Sequence, residues 1–241
     1  MRIVPCCTIG NPDIYEFKKS KDSLIPCKKI IGQANKRRKP YHPQSIINIS
    51  AMSFGSLGKN AITALNLGAQ SANCYHNTGE GGISPYHKKG AELVWQIGTG
   101  YFGARDKEGN FSKDIFKDTI NSNPYIRMIE IKLSQGAKPG KGGILPKTKI
   151  TEEISGIRGV PMDKDCISPN RHTAFSNVDE MLNFVEPLLG KRNNKLFEEF
   201  KRILSAAGGQ GTNTIPLMED SWYSVPLSET IMQGLPLSSM I

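Results

Sequence analysis

The stretch IINISAMSFGSLGKNAITALNLGAQSA, residues 46–72, contains an apolar run, a glycine-containing turn and an amphipathic pattern in that order. Its first part, Ile46–Ile49, predicts a short buried strand. Its last part, Lys59–Ala72, predicts a helix that Ser56 is placed to cap. The apolar stripe of this helix consists of Ile62, Leu65 and Ala69. Because strand, loop and helix in this order form the repeating unit of α/β proteins, the stretch indicates an α/β fold.

The chain contains two glycine-rich loops, and the turn at residues 51–58 belongs to the first of them. The loop NTGEGG, Asn77–Gly82, closes the helical stretch, and the loop QGAKPGKGG, Gln135–Gly143, follows the strand-like run Ile126–Leu133. Glycine lets a backbone approach a flat or anionic ligand closely, because no side chain stands in front of its N–H group. Since both loops also carry ionisable side chains, they predict a cradle for a cofactor.

The rest of the chain continues the alternation of strands and helices. The predicted elements are a strand at Ala91–Ile97, a strand at Ile126–Leu133, a helical turn from Thr151, a strand at Cys166–Ile167, an amphipathic helix at Val178–Glu186 that Pro187 ends or kinks, and a helix at Leu196–Ala207. This order in one long domain favours a (β/α)8 barrel or an open α/β sheet.

Length and composition predict one large globular domain. The chain has 241 residues, of which 38% are hydrophobic and 22% charged, as in soluble proteins. It contains no run of about 18 apolar residues, and its N-terminus lacks the apolar core of a signal peptide. We therefore expect a cytoplasmic protein that does not bind membranes. Residues 1–44 are polar and rich in lysine and proline, so we expect an irregular N-terminal extension before a domain at residues 45–241.

A net charge of +9 raises nucleic-acid binding as an alternative. The densest basic patch is Lys28–Lys39. No aromatic residues interleave with this patch, and the chain has no zinc-finger spacing or other recognition motif. We therefore expect no nucleic-acid partner.

The cysteines and histidines give no catalytic or metal-binding pattern. Five cysteines are present without a CxxC pair, so we expect reduced thiols and no metal site. Neither His76 nor His172 has carboxylates or cysteines at a spacing that supports catalysis, and both are expected to be structural. Cys74 and Cys166 are expected to be small residues of the core or its rim.

The motifs, taken together, resemble the FMN-binding domain of glutamate synthase, and especially the short, stand-alone members of that family. The residues that carry the resemblance are Tyr41–Pro43, Ile49–Leu57, Asn77–Gly82 and Gln135–Gly143. The resemblance covers residues 40–186 well and is weak afterwards, while Cys7–Gly10 resembles the extension that precedes the domain. It implies a (β/α)8 barrel with FMN at the carboxyl ends of the strands.

The resemblance also implies the site residues. Those expected to bind FMN are Ala51, Met52, Ser53, Asn77, Thr78 and Gln135. Those expected around a 2-oxo or imino acid are Glu80, Lys138 and Arg158, with Glu80 and Lys138 in catalytic roles. A dicarboxylate needs cationic donors, and an imine needs a group that manages its proton. The alternative is that the lysine and arginine are surface charges, that Glu80 caps a loop, and that Asn77 and Thr78 only satisfy a turn.

The activity implied is that of an FMN-dependent oxidoreductase. Large members of the family make glutamate from 2-oxoglutarate and ammonia released from glutamine, by hydride transfer from reduced FMN to 2-iminoglutarate. We therefore expect reduction of a 2-imino acid to an amino acid. The expected partners are this small acid, an electron-donor protein and further copies of the chain.

Three departures from the family pattern support a second hypothesis. The large enzymes have a glutamine where this chain has Ile144, and loss of such a contact costs about 1–3 kcal/mol. The family has a lysine-bearing strand after the position of Glu186, and this chain has the segment Lys191–Lys195 in its place. The segment Gly208–Thr212 resembles the family's phosphate loop only in part. The cysteines that bind a 3Fe-4S cluster in the family are absent.

From residue 45 onwards only about 195 residues are available, against the ~250 of a typical barrel. We therefore expect an incomplete barrel whose open sheet edge invites aggregation or a partner. The alternative function is that of a truncated, catalytically silent flavin-binding relative or a binding remnant.

Overall fold

The computed structural model describes residues 30–31, 40–133, 135, 141–189 and 214–217. The helices are α1 (Lys59–Ser71), α2 (Lys113–Asn121), α3 (Glu152–Arg158) and α4 (Val178–Leu189). The strands are β1 (His76–Asn77), β2 (Leu93–Ile97), β3 (Ile126–Lys132), β4 (Ile144–Leu145), β5 (Cys166–Ile167) and β6 (Thr214–Leu217). Short 3-10 turns lie at Pro85–His87 and Lys147–Lys149.

The strands form one mixed sheet and one small ribbon. The sheet has the order β1–β2–β3–β6, in which β1, β2 and β3 are parallel and β6 is antiparallel to β3. Strands β4 and β5 pair antiparallel in the ribbon. The α/β class is confirmed, but the described residues do not close a barrel, and the prediction of a (β/α)8 barrel is not confirmed.

One face of the sheet packs on α2 and α4. Trp95 of β2 and Ile129 of β3 are fully buried on this face. Trp95 stacks on Phe116 of α2 with ring centroids 5.4 Å apart, and Met181 of α4 belongs to the same apolar cluster. Each such side chain stabilises the fold by about 1.5–3 kcal/mol when it leaves water. The helices thus fix the sheet from one side and leave its other face for the site.

The predicted strand at Ile46–Ile49 is wrong. Ile46 and Ile47 are 57% and 59% exposed, and only Ile49 forms an isolated parallel bridge, to His76. The cause is a local turn: the Ser45 hydroxyl accepts the Ile47 N–H at 3.1 Å, and the Ser45 carbonyl accepts the Asn48 amide at 3.0 Å. Serine and asparagine side chains compete in this way with strand pairing.

Helix α1 confirms its prediction to within one residue. Ile62 and Ala69 are fully buried, and Leu65 is half-buried. The predicted cap is wrong, because α1 begins after Gly58 without a side-chain cap, and the Ser56 hydroxyl instead bonds to Ser53 at 2.9 Å.

The later helices agree with the sequence in part. Thr151 caps α3 by accepting the Ile154 N–H. Helix α4 runs to Leu189 and so continues past Pro187. Residues 1–29 and 32–39 of the predicted extension lie outside the described residues, as do the predicted helix at Leu196–Ala207 and the segments Lys191–Lys195 and Gly208–Thr212. None of the helices in the described part of the chain has both the length and the apolar character needed to cross a bilayer.

Candidate functional site

Polar side chains collect where the parallel strands end. Asn77 ends β1, Gln96 is the fourth residue of β2, and Glu130 and Lys132 lie near the end of β3. Gln96 and Glu130 are register partners, and alternation along a strand places Lys132 on the same face as Glu130. The carboxyl ends of parallel strands share one edge, which is where ligands bind in such sheets.

Glu80 and Gln135 join the two glycine-rich loops. The Gln135 amide Nε2 donates to both carboxylate oxygens of Glu80, at 2.7 and 2.9 Å. The Lys132 ammonium donates to Gln135 Oε1 at 2.8 Å and lies 3.4 Å from Glu80 Oε2. The side chains of Lys132 and Glu80 are each 19% exposed, so a ligand can reach them. The loops that the sequence predicts to form one cradle therefore meet at this cluster.

A small cleft opens beside the cluster. The cleft is shallow: it contains about 160 Å³ of empty space when open solvent is included, and it encloses no room for a water molecule. The polar side chains that line it are Glu80, Thr99, Lys132, Gln135, Lys141 and Asn170. Among the described residues it is therefore a shallow polar depression lined by two lysines and one carboxylate.

The turn at residues 51–53 packs directly on the NTGEGG loop. Gly79 has a φ of +66°, and a Cβ there would lie 2.6 Å from the Ser53 nitrogen. The Met52 N–H donates to the Asn77 carbonyl at 3.1 Å. Only glycine at position 79 allows this approach at this backbone conformation, so the two segments form one unit.

Asn77 and Thr78 are engaged inside the protein. Asn77 donates to Glu130 at 2.9 Å and accepts the Gly79 N–H at 3.0 Å. Thr78, fully buried, accepts the Gln96 N–H at 3.1 Å and donates to the Gly79 carbonyl at 3.0 Å. These contacts match the alternative that both residues satisfy a turn. Flavin contact by either side chain stays a prediction.

Arg158 lies behind the turn at residues 51–58. Only 6% of this residue is exposed. Its guanidinium donates to the Phe54 carbonyl at 3.0 Å and sits 5.1 Å from the Phe102 ring centroid. It does not line the cleft, and these contacts hold the loop backbone in place. Its expected contact with substrate stays a prediction.

Lys138 lies outside the described residues. Lys141, three residues further along the same loop, lines the cleft. The expected catalytic role of Lys138 stays a prediction.

Sequence reasoning missed Glu130 and Lys132 as members of the site. Glu130 accepts hydrogen bonds from Gln96 at 2.5 Å and from Asn77 at 2.9 Å. Burial raises the pKa of its carboxyl group, although these two bonds and Lys132 oppose the shift. The signal was available, because Glu130 and Lys132 stand two apart on either side of an apolar residue at the end of the strand and therefore mark one polar face.

His172 braces the end of β3. Its Nε2 lies 2.8 Å from the Lys132 carbonyl and its Nδ1 lies 3.0 Å from the Tyr101 hydroxyl. The ring stacks on Phe175 at 4.6 Å, and burial lowers the pKa of the imidazole. These contacts agree with the expected structural role. His76, also buried, bonds through Nδ1 to Asn66 at 3.2 Å, and burial lowers its pKa to about 4.

The donors at this edge fit a flavin. Ala51 is exposed and Met52 and Ser53 are half-exposed, so a ligand can reach this segment. Within the described ranges no hydrogen bond engages the Ser53 N–H, which leaves a backbone donor for a ligand. Lys132 supplies a cation at the same edge, and charge near the ring is what tunes flavins. The described part of the chain contains no group of three potential metal ligands.

Comparison with known proteins assigns the family. The family model described as the conserved region in glutamate synthase matches residues 9–196. The chain belongs to the glutamate synthase family.

Individual relatives agree with this assignment. A glutamate synthase large subunit-like protein of Bacillus subtilis is 46% identical over 152 residues, which cover 62% of this chain and 29% of that protein. An archaeal-type NADPH glutamate synthase of Thermotoga maritima is 30% identical over 171 residues, 70% of this chain and 30% of that enzyme. For an archaeal NADPH glutamate synthase of Methanocaldococcus jannaschii the identity is 32% over 143 residues, 59% and 25% of the two chains. The matches thus span less than a third of each relative's length.

Proposed function

We propose that this chain is the FMN-binding part of an oxidoreductase of glutamate synthase type, which reduces a 2-imino acid to an amino acid. The observation that carries the proposal is the cluster of Glu80, Lys132 and Gln135 at the carboxyl edge of the parallel strands. FMN, when bound, supplies the hydride. A (β/α)8 barrel is part of this proposal.

The backbone at residues 51–53 holds the cofactor in this proposal. The Ser53 N–H is the donor that no described residue engages, and Gln135 stands at the opposite loop. Asn77 and Thr78 act by fixing the NTGEGG turn, through their bonds to the Gly79 backbone. The cofactor is thus expected to rest on a frame that is already formed.

Lys132 and Glu80 bind the substrate in this proposal. The Lys132 ammonium, with Lys138 from the adjoining loop, pairs with the carboxylate of the acid. The Glu80 carboxylate accepts an N–H from the imino nitrogen and holds the proton at that atom. The Lys132–Glu80 separation of 3.4 Å puts both groups within reach of one small acid.

Position 144 bears on which substrate side chain the site accepts. Ile144 on β4 is 54% exposed, whereas a glutamine at this position would offer an amide. Without that amide, a dicarboxylate would bind less favourably by about 1–3 kcal/mol. We therefore propose a 2-imino acid, without restriction to 2-iminoglutarate.

Titration of the purified chain with FMN tests the cofactor site. We expect saturable quenching of flavin fluorescence at one FMN per chain. Gln135→Leu should raise the Kd by several-fold to about tenfold, since it removes the proposed hydrogen bond from a neutral amide to the flavin, worth roughly 0.5–1.5 kcal/mol. The matched control is Gln44→Leu, which changes an exposed glutamine whose amide donates to the His42 carbonyl, and it should leave the Kd unchanged. Absence of binding by the wild-type chain contradicts the proposal.

A second assay separates the enzyme from a silent relative. Chemically reduced FMN, a 2-oxo acid and ammonium are incubated with the chain, and the amino acid product is quantified. Product formation that Glu80→Gln abolishes supports the enzyme. Binding of FMN without product favours the silent flavin-binding relative.

A further inference from the structure

His87 lies behind the turn at residues 51–53 and contacts its backbone. The residue ends the 3-10 turn Pro85–His87 and is fully buried. Its Nε2 lies 2.9 Å from the Met52 carbonyl oxygen. Its Nδ1 lies 3.1 Å from the Ser84 backbone nitrogen and 2.9 Å from the Ser84 hydroxyl. One imidazole therefore joins the turn at residues 51–53 to the segment after the NTGEGG loop.

The partners of the ring fix its tautomer. The Ser84 backbone N–H can only donate, so Nδ1 must be the unprotonated nitrogen that accepts it. The Met52 carbonyl can only accept, so Nε2 must carry the hydrogen that it receives. These two partners are backbone groups whose donor and acceptor roles are fixed, so the ring cannot flip or change tautomer without losing both bonds.

The orientation of the Met52 carbonyl also sets the orientation of the Ser53 N–H, because both belong to one planar peptide. The Met52–Ser53 peptide is trans, as are all peptide bonds described. In a trans peptide the C=O and the N–H point to opposite sides. Because His87 holds the Met52 C=O, the Ser53 N–H must point away from His87. This is the amide that no described residue engages.

We infer that His87 is a positioning residue, which holds the Met52 carbonyl so that the Ser53 N–H is presented to an acceptor atom of the ligand. The identity of that ligand as FMN rests on the proposed function, whereas the orientation of the peptide does not. His87 does not touch the cleft and acts only through the Met52–Ser53 peptide.

The surroundings of the ring keep it in the required neutral form. Burial lowers the pKa of His87, although the bond to Met52 opposes the shift. The titratable group that faces it is His76, with ring centroids 5.2 Å apart. Burial lowers the pKa of His76 as well. At neutral pH both rings are therefore uncharged, and the donor and acceptor roles of His87 are preserved.

Amide hydrogen exchange tests the inference without any flavin. In His87→Phe, which keeps a ring but no hydrogen bonds, the Met52 amide should exchange about tenfold faster, because its bond to the Asn77 carbonyl loosens with the turn. His87→Gln can donate and accept at similar positions and should restore most of the protection. The matched control is Thr119→Ala, which removes a 2.7 Å bond from α2 to the Gly103 carbonyl. Unchanged exchange at Met52 in His87→Phe overturns the inference.

Two further readouts keep the outcome clear. If His87→Phe does not fold, the nitrogen chemical shifts of the wild-type ring decide, and a proton on Nδ1 overturns the inference. In FMN titrations, His87→Phe should raise the Kd by about tenfold, with the control unchanged. If the wild-type chain binds no FMN, the proposed function fails, and the exchange result still decides the role of His87.

Discussion

Gly79 shows how one residue without a side chain shapes the site. It combines a φ of +66° with a Cβ position only 2.6 Å from the Ser53 nitrogen. An alanine there would meet backbone rather than the end of a flexible side chain. The turn at residues 51–53 and the NTGEGG loop would have to separate.

We therefore predict that Gly79→Ala destabilises the chain and weakens FMN binding. Strain from the positive φ costs about 1 kcal/mol, and the contact with Ser53 adds to it. Gly68→Ala is the matched control, because Gly68 is inside α1 with open space around it and alanine is favoured there by about 0.5–1 kcal/mol. Urea unfolding and flavin titration of both variants measure the effects. A Gly79→Ala protein as stable as the Gly68→Ala protein contradicts the account.

Sequence reasoning predicted part of the site and missed part for physical reasons. The meeting of Glu80 with Gln135 follows from loops that leave the same edge of a parallel sheet. Recognising Glu130 and Lys132 as site residues required comparing every second residue of β3, because alternate residues share one face of the sheet. The inward position of Arg158 could not be predicted, because it depends on the Phe54 carbonyl, which lies 104 positions away in the chain.

At the scale of elements, α3 begins at a side-chain cap and ends at a glycine. Thr151 accepts the Ile154 N–H at 3.3 Å, and Gly159 follows with a φ of 62°. Both are helix boundary signals that a sequence shows directly. The strand at Ile46–Ile49 was wrong because Ser45 and Asn48 form a turn that an apolar pattern does not reveal.

We predict that Thr151→Ala lowers the free energy of unfolding by about 1 kcal/mol through loss of this cap. Thr151→Ser retains a hydroxyl, so its free energy of unfolding should fall by only a few tenths of that amount. Chemical denaturation of the two variants measures the difference. Equal stability of Thr151→Ala and wild type would mean that the cap does not contribute.

At the scale of the whole molecule, buried histidines link stability to pH. Burial lowers the pKa of His76 from 6.5 to about 4, so the native state keeps the ring neutral where the unfolded chain binds a proton. The stabilisation is complete above pH ~6.5 and is lost as the pH falls towards 4. The shift corresponds to about 3 kcal/mol over that window.

We predict that His76→Gln makes the protein less sensitive to acid. Unfolding free energies measured at several values between pH 7.5 and 4 should fall less in the variant than in wild type, by up to ~3 kcal/mol at the acid end. Carboxylates titrate equally in both proteins, so the difference isolates His76. Parallel pH profiles contradict the prediction.

The overall architecture was predictable in class but not in closure. Alternating strands and helices indicate an α/β fold, and β1, β2 and β3 are parallel as in that class. The antiparallel pairing of β6 with β3 joins residues about 85 positions apart, and such non-local pairing leaves no periodic signal in the sequence.

A crystal structure of the chain with FMN bound tests most directly whether the glycine-rich loops form one cofactor site. We expect a flavin ring that contacts the backbone at residues 51–53 on one side and Gln135 on the other, with the Ser53 N–H donating to it. A flavin that touches only one of these loops, or that binds elsewhere on the protein, would contradict this expectation.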